Sequence, residues 1–211
     1  MCARRRDAEG TAATRATRRA ELLSAIAGVF ADRGYAATTV REAAEAAGIL
    51  GGSLYYHFDS KESMVDEILS TFLDEMWTDY ETVLAAGLDA PQTLRALVHS
   101  SFRSIENHRA AVVIYQNESR YLAQSERFQY LTASQERFER TWKGVLAQGV
   151  AEGAFRADLN TGLIYRFIRD TVWVAATWYR PDGKFDAEEI ARQYLAMVLE
   201  GLQATSPHRS S

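Results

Sequence analysis

Cysteine, proline and long apolar runs are scarce in this sequence of 211 residues, and each scarcity excludes a class of protein. The one cysteine, Cys2, cannot form a disulfide framework, and three prolines are too few for an extended proline-rich chain. The longest apolar stretches, such as residues 172–178, are far shorter than the ~20 residues that span a bilayer. No apolar segment follows the arginines at 4–6, so a secretory signal is not indicated. These absences predict a soluble, cytoplasmic protein.

Positive charge is also in deficit, but the deficit is uneven along the chain. The formal net charge of −4 at pH 7 argues by itself against nucleic-acid binding. Residues 1–61 nevertheless hold nine basic and seven acidic residues, whereas residues 62–211 hold 15 basic and 21 acidic residues. A basic front on an acidic body is the asymmetry that polyanion binding needs, although a solvated tail would produce the same excess.

Helical periodicity is what the sequence has in abundance. The first predicted helix begins near Thr17 and ends at Gly34, and its apolar positions follow helical spacing: Leu22, Leu23, Ile26, Val29 and Phe30. Residues 1–16 lack this periodicity and are predicted to be a flexible basic arm, and residues 204–211 a flexible tail. A second helix is predicted over about 39–47 and a third, of only about six residues, within 49–58. Further helices are predicted over about 60–86, 91–107, 109–121, 125–152, 160–179 and 186–203. With no strand pattern, the prediction is an all-α protein of nine helices.

Two short neighbouring helices predict a helix-turn-helix. The first ends at Gly48, and the second follows Gly51 after a tight turn, which is the unit whose second helix enters the major groove of DNA. Glycines permit close approach to the duplex, hydroxyl groups reach phosphates and base edges, and helix N-termini favour phosphate. The candidate DNA contacts are Thr38, Thr39, Gly51, Gly52, Ser53, Tyr55, Tyr56, His57 and Lys61. The alternative is that Thr39 and Ser60 only cap helices and that residues 55–58 belong to the core. We expect a place in the core for Phe58 and for one of the two tyrosines.

Two segments of this region resemble the N-terminal domain of the TetR family of bacterial repressors. They are AGVFADRGYAATTVREAAEAAGI at 27–49 and GSLYYHFDSKE at 52–62. The resemblance implies a nine-helix homodimer with a DNA-binding domain over 17–62 and a ligand-binding and dimerisation body over 63–203. It also implies dimerisation through the last two helices, with these candidates: Val174, Ala175, Ala176, Tyr194, Met197 and Val198. Each of them could instead belong to the subunit's own core.

The predicted helix over 160–179 has the most informative pattern in the body. Arg169 and Trp173 are four residues apart and therefore share one helix face. A guanidinium binds phosphate or carboxylate and an indole offers a stacking surface, which together suit a ligand with an anionic end and a ring system. The alternative is that Arg169 pairs with Asp170 or Glu118 and that Trp173 packs beneath it. The candidate ligand-binding residues are Arg169, Trp173, Arg166, Tyr115, Phe102 and Trp77, with Arg120 or Arg103 as further cations.

Four stretches of the body are similar to one subgroup of the family, the repressors of bacterial cholesterol catabolism. They are residues 112–118, 165–174, 178–183 and 193–199. The resemblance runs from about residue 17 to 202 and implies release from palindromic operator DNA when a CoA thioester with a fused-ring acyl group binds. Positions 169 and 173 match the arginine and tryptophan that contact such a thioester. A fatty acyl-CoA or another hydrophobic effector is the alternative.

An enzyme is the competing class of protein. The four histidines are scattered, and no metal-ligand spacing, nucleophile motif or phosphate-binding glycine loop is present in the sequence. Glu118 and Asp170 are the one candidate acid/base pair, and carboxylates near arginines are more often structural partners. The sequence therefore predicts a regulator with no catalytic residues, metal site or cofactor other than the effector.

Overall fold

The computed structural model describes residues 3–202, and this part of the chain is all-α, as predicted. The α-helices are α1 (Ala3–Arg33), α2 (Val40–Ala46), α3 (Gly51–Leu54), α4 (Lys61–Ala85), α5 (Ala90–Leu122), α6 (Gln129–Ala151), α7 (Thr161–Trp173), α8 (Ala175–Trp178) and α9 (Ala187–Leu202). A 3₁₀ turn, Glu126–Phe128, precedes α6. No helix within 3–202 is long and apolar enough to cross a membrane.

Helix α1 begins much earlier than its apolar pattern predicts. Its backbone is helical from Ala3, so the flexible arm expected over residues 1–16 is wrong for residues 3–16. Alanine and arginine dominate this segment and are strong helix formers, and helix propensity does not require an apolar face. The predicted tail over residues 204–211 lies outside the described residues.

The division of the body into helices differs from the prediction at two places. The break expected near residue 108 is a kink within α5, where His108 leaves helical geometry at φ −131° and ψ 33°. The single helix expected over 160–179 is divided at Val174 into α7 and α8. A tight turn forms there, in which the Thr177 amide donates to the Val174 carbonyl at 2.9 Å.

Helix α4 joins the N-terminal module to the body. Its first turn is fixed by a reciprocal capping arrangement between Ser60 and Ser63, in which each backbone amide donates to the other's hydroxyl at 3.1 Å. Buried residues then follow along the whole helix, from Met64 in the N-terminal module to Tyr80 in the body. One hydrophobic core therefore runs from the first helix to the last, with α4 as a shared element.

Candidate functional site

Helices α2 and α3 form the predicted helix-turn-helix. Thr39 caps α2, because its hydroxyl accepts the Glu42 amide hydrogen at 3.2 Å while a Glu42 carboxylate oxygen accepts the Thr39 amide hydrogen at 2.8 Å. The turn between the helices needs Gly48, whose φ of 67° is in the left-handed region that favours glycine. Ala44 and Leu54 are buried beneath the turn and hold the two helices together.

One side of α3 and the residues after it is exposed and polar. Tyr55 is 57% exposed and Tyr56 is 79% exposed, so neither tyrosine belongs to the core. Their hydroxyls, like that of the exposed Ser53, make no hydrogen bond to any group between residues 3 and 202. Of the other candidates, Gly52 is exposed, and Gly51 and His57 are half-buried. This surface offers hydrogen-bonding groups that the protein itself leaves unused.

The polar side chains of three candidate DNA contacts instead make hydrogen bonds within the subunit. Thr38 is only 2% exposed, and its hydroxyl donates to the Gly34 carbonyl at 2.8 Å, so this hydroxyl does not face the DNA-binding surface. The Lys61 ammonium donates to the carbonyls of Tyr35 and Thr38, both at 2.9 Å, and fixes the start of α4 to the turn before α2. The Thr39 hydroxyl is exposed, but the cap already uses it.

Arg19 was not predicted to take part in the site, and it fixes the position of α3. Its guanidinium donates to both carboxylate oxygens of Glu67 on α4, at 2.7 and 2.5 Å, and to the backbone carbonyl of His57. It also lies 4.2 Å above the ring centroid of Phe58, which is buried. These contacts raise the pKa of Arg19, chiefly through the hydrogen bonds to Glu67. The residues are 48 positions apart in sequence, so no local pattern could indicate the contact.

A cavity of about 370 Å³ lies in the body among α4, α5, α6 and α7. Its volume is within the range of roughly 300–1,000 Å³ that is typical of small-molecule sites. The lining residues are Phe72, Tyr115, Gln116, Ser119, Arg120, Gln135, Phe138, Trp142, Tyr165, Ile168, Arg169, Asp170, Val172, Trp173 and Val174. The cavity therefore has an aromatic wall and a polar part that are both built from several helices.

Aromatic rings in edge contact form the apolar wall. Phe72 lies 6.1 Å from Tyr115 and 6.4 Å from Trp173, measured between ring centroids, and Phe138 lies 5.9 Å from Trp173. The Tyr115 hydroxyl is buried without a hydrogen-bond partner of normal geometry. Burial raises the pKa of Tyr115 to about 12, so at neutral pH the hydroxyl remains a donor. A ligand with a polar atom at this point would satisfy it.

Two guanidinium groups and one carboxylate line the polar part. Arg169 donates to Asp170 at 2.6 Å and lies 5.8 Å from the ring centroid of Tyr165, and burial raises the pKa of that tyrosine. Arg120, in the last turn of α5, makes no hydrogen bond or ion pair within the described chain. The lining thus has a local excess of positive charge in an acidic protein. Arg169 pairs with Asp170 and also lines the cavity, and its contact with a ligand stays a prediction.

The other candidate ligand residues are not brought to the cavity. Phe102 is buried and packs against Tyr194 with ring centroids 5.9 Å apart. Trp77 is buried and donates to the Ser134 hydroxyl at 2.9 Å. Arg166 is exposed and is not among the lining residues, although it lies three residues before Arg169 on α7. Arg103 pairs with Asp79 at 2.8 Å. None of these four residues is among the lining residues of this cavity.

Glu118 on α5 connects the cavity to the helix-turn-helix. The lining residue Ser119 follows it directly, the lining residue Gln116 lies two positions before it, and its carboxylate accepts the backbone amide hydrogen of Tyr35 at 3.1 Å. The carbonyl of that same Tyr35 accepts from Lys61 at the start of α4. Phe72 on α4 is itself part of the cavity wall. Two helices that line the cavity therefore hold the segment that leads into α2.

Apolar side chains are exposed along α7, α8 and α9. Leu163 and Phe167 are four residues apart, about one turn, on α7. Val174 and Trp178 are also four residues apart, at the junction with α8 and at its end. Met197 is exposed on α9. Two predicted dimer contacts, Ala175 and Ala176, are fully buried in the subunit, so their assignment to a dimer face is wrong. Exposed rows of this kind mark protein interaction surfaces.

Family models match both parts of the chain. A model described as "Bacterial regulatory proteins, tetR family" matches residues 22–68. Another, described as "Tetracyclin repressor-like, C-terminal domain", matches residues 87–202.

Individual relatives are similar over most of their length. The HTH-type transcriptional repressor KstR2 of Rhodococcus jostii (strain RHA1) is 53% identical over 191 residues, which are 90% of this chain and 93% of that protein. KstR2 of Mycobacterium tuberculosis (strain ATCC 25618 / H37Rv) is 49% identical over 88% of this chain and 93% of its own. The structure of the ketosteroid transcriptional regulator KstR2 of M. tuberculosis superposes with a TM-score of 0.86 at 48% identity, covering 89% of this chain and 96% of that one.

Proposed function

This chain belongs to the TetR family of transcriptional repressors, which are regulators and not enzymes, and we propose that it binds palindromic operator DNA as a homodimer until an effector binds its body. The effector that we propose is a CoA thioester of a sterol ring-degradation intermediate. Relatives about half identical to this chain are repressors, and the name of one solved relative refers to ketosteroids. The palindrome follows from a two-fold dimer, which presents two identical helix-turn-helix units.

The aromatic cavity with Arg120 and Arg169 in its lining is the observation that carries the effector proposal. A volume of about 370 Å³ suits a fused-ring acyl group, and it is too small to enclose the nucleotide and pantetheine of CoA as well. The phosphates must then remain near the entrance, where the guanidinium groups of Arg120 and Arg169 would hold them by charge-assisted hydrogen bonds. A plain hydrocarbon chain would not need a cavity walled by Phe72, Tyr115 and Trp173.

The exposed apolar row on α7, α8 and α9 supports the dimer. Leu163, Phe167, Val174, Trp178 and Met197 would lose contact with water when two copies associate through these helices. An isologous contact uses the same patch twice, so each exposed side chain contributes at two symmetric places.

We propose that the effector releases the dimer from DNA by shifting the balance between two conformations of the dimer. Helix-turn-helix dimers bind when their recognition helices match major grooves about 34–36 Å apart. A ligand against Phe72 moves α4 directly, and a ligand against Ser119 and Arg120 moves the end of α5 that carries Glu118. Either movement displaces the segment between Gly34 and α2, changes that separation and lowers the affinity for operator DNA.

The proposed effector class is tested by ranking ligands on the purified dimer. We expect a CoA thioester of a steroid ring fragment to raise the thermal midpoint and to release DNA from upstream of the protein's own gene. Free CoA lacks the rings, and palmitoyl-CoA lacks the shape, so both should act only at much higher concentration. Differential scanning fluorimetry and a gel-shift titration measure these responses. A stronger response to palmitoyl-CoA would replace the sterol effector with a fatty acyl-CoA.

Removing the Glu118 carboxylate tests the proposed route from cavity to DNA. Glu118→Ala loses the acceptor for the Tyr35 amide. We expect the effector to bind this variant normally, but the factor by which the effector lowers operator affinity should fall about tenfold, which is within the usual range of allosteric coupling. Fluorescence anisotropy of labelled operator, with and without saturating effector, gives that coupling. Glu118→Gln keeps an oxygen acceptor and should retain most of it. Full coupling in the alanine variant would exclude this route.

A further inference from the structure

Leu50 is an apolar side chain in an unexpected place on the DNA-binding surface. It occupies the cap position immediately before α3, in extended geometry at φ −71° and ψ 145°, and makes no side-chain cap. Cap positions favour serine, threonine, aspartate and asparagine, whose oxygen atoms bind the free amides of the first turn. At this position a leucine gives up that hydrogen bond, and its side chain is 80% exposed. Neither capping nor packing in the subunit accounts for it.

The surroundings of Leu50 leave its side chain projecting from the surface. Gly51 and Gly52 follow it, and neither has another atom within 4 Å of where a Cβ would be. Leu54 supplies the buried contact of α3, so the core does not need Leu50 as well. The neighbouring exposed groups are the hydroxyls of Ser53 and Tyr56. Leu50 is therefore an exposed aliphatic side chain beside two glycines, on a surface whose other exposed groups are polar.

Base edges in the major groove offer one apolar group, the 5-methyl of thymine. The start of a recognition helix is the part that contacts base edges in helix-turn-helix proteins. The glycines allow the backbone to approach the groove closely, and a projecting leucine then reaches the base edge before the polar groups do. We infer that Leu50 contacts the 5-methyl group of a thymine in each operator half-site and selects T over C at that position. This inference rests on the proposed binding of palindromic operator DNA.

Replacing thymine with deoxyuracil removes only that methyl group and leaves base pairing intact. The operator is first located by footprinting the wild-type dimer on DNA upstream of its own gene. Symmetric pairs of thymines are then replaced one pair at a time, and affinity is measured by anisotropy. At one symmetric pair, the replacement should weaken wild-type binding about fourfold per half-site, because each half-site loses the burial of one methyl group. The whole palindrome should then bind roughly fifteenfold more weakly.

Variants at position 50 assign the contact to this residue. Leu50→Ala should weaken binding to the thymine operator by a similar factor and should no longer distinguish thymine from deoxyuracil at that pair. Leu50→Met keeps an apolar side chain and should keep the preference. Leu84→Ala, at an exposed leucine near the end of α4, is the control and should behave as wild type. Unchanged melting temperatures are expected, since both leucines are exposed.

Two results would overturn the inference while leaving operator binding intact. One is wild-type affinity that stays within twofold for every deoxyuracil pair. The other is a Leu50→Ala dimer that still loses affinity on the same substitution as wild type does. Failure of wild type to protect any upstream DNA would instead reject the proposed operator binding, and the inference with it.

Discussion

Phe167→Glu should convert the protein to a monomer and lower its operator affinity more than a hundredfold. Phe167 is 56% exposed in the subunit and lies at the centre of the apolar row of α7 and α8. In the proposed dimer, the substitution buries an unpaired carboxylate at two symmetric places, and each buried charge costs several kcal/mol. A monomer contacts only one half-site and loses the gain from binding two linked sites. Analytical ultracentrifugation and anisotropy measure the two effects.

Leu84→Glu is the matched control for this experiment. Leu84 is also an exposed apolar side chain, but it lies near the end of α4, outside the row on α7–α9. The variant should remain dimeric and bind operator DNA as wild type does. A Phe167→Glu protein that is still dimeric would show that the subunits associate through another surface.

Arg169→Ala should raise the effector concentration needed for release from DNA by about tenfold to a hundredfold, the loss of one charge-assisted hydrogen-bonding group. Operator affinity without effector should not change, because within the described chain the side chain of Arg169 forms its ion pair with the neighbouring Asp170 and none with the helix-turn-helix. Calorimetric titration with the steroid-fragment CoA thioester measures effector affinity, and gel shift measures release.

Two further variants separate a ligand contact from a structural ion pair. Arg166→Ala removes the same charge from the same helix but at a position outside the cavity, and it should leave the response intact. Asp170→Asn removes the carboxylate that competes for Arg169, and it should tighten effector binding. An Arg169→Ala protein with an unchanged response would mean that Arg169 serves only to hold Asp170.

The N-terminal module was largely predictable, because its signals are local. Gly48 has the positive φ that its place at the end of α2 predicted, and Leu54 is buried as expected for a contact three residues into α3. Ser53 is exposed as expected, but both Tyr55 and Tyr56 are exposed, although one of them was expected in the core. Turn glycines, caps and periodicity involve residues within a few positions of each other, so the sequence displays them directly.

The ligand site was only partly predictable, because aromatic residues serve equally well in a core and in a cavity wall. Arg169, Trp173 and Tyr115 line the cavity, whereas Phe102 and Trp77 pack into the subunit. The aromatic residues of the two groups are of the same types and follow the same helical spacing in the sequence. Only the relative positions of α5, α6 and α7 decide which of them line the cavity. Arg120 was one of several candidate cations, and its place in the lining depends on the same packing.

The sequence by itself determined that this protein is all-α, that its basic N-terminal part contains a helix-turn-helix, and which family it resembles. Tertiary structure decided which polar groups are available for function. It buried Thr38, and it engaged Lys61 and Arg19 in hydrogen bonds within the subunit. It left Leu50 exposed, and it brought the Glu118 carboxylate to the backbone amide of Tyr35, 83 residues away in sequence. The physical reason is range: helices and turns form from neighbouring residues, whereas burial and long-range hydrogen bonds depend on how distant helices pack.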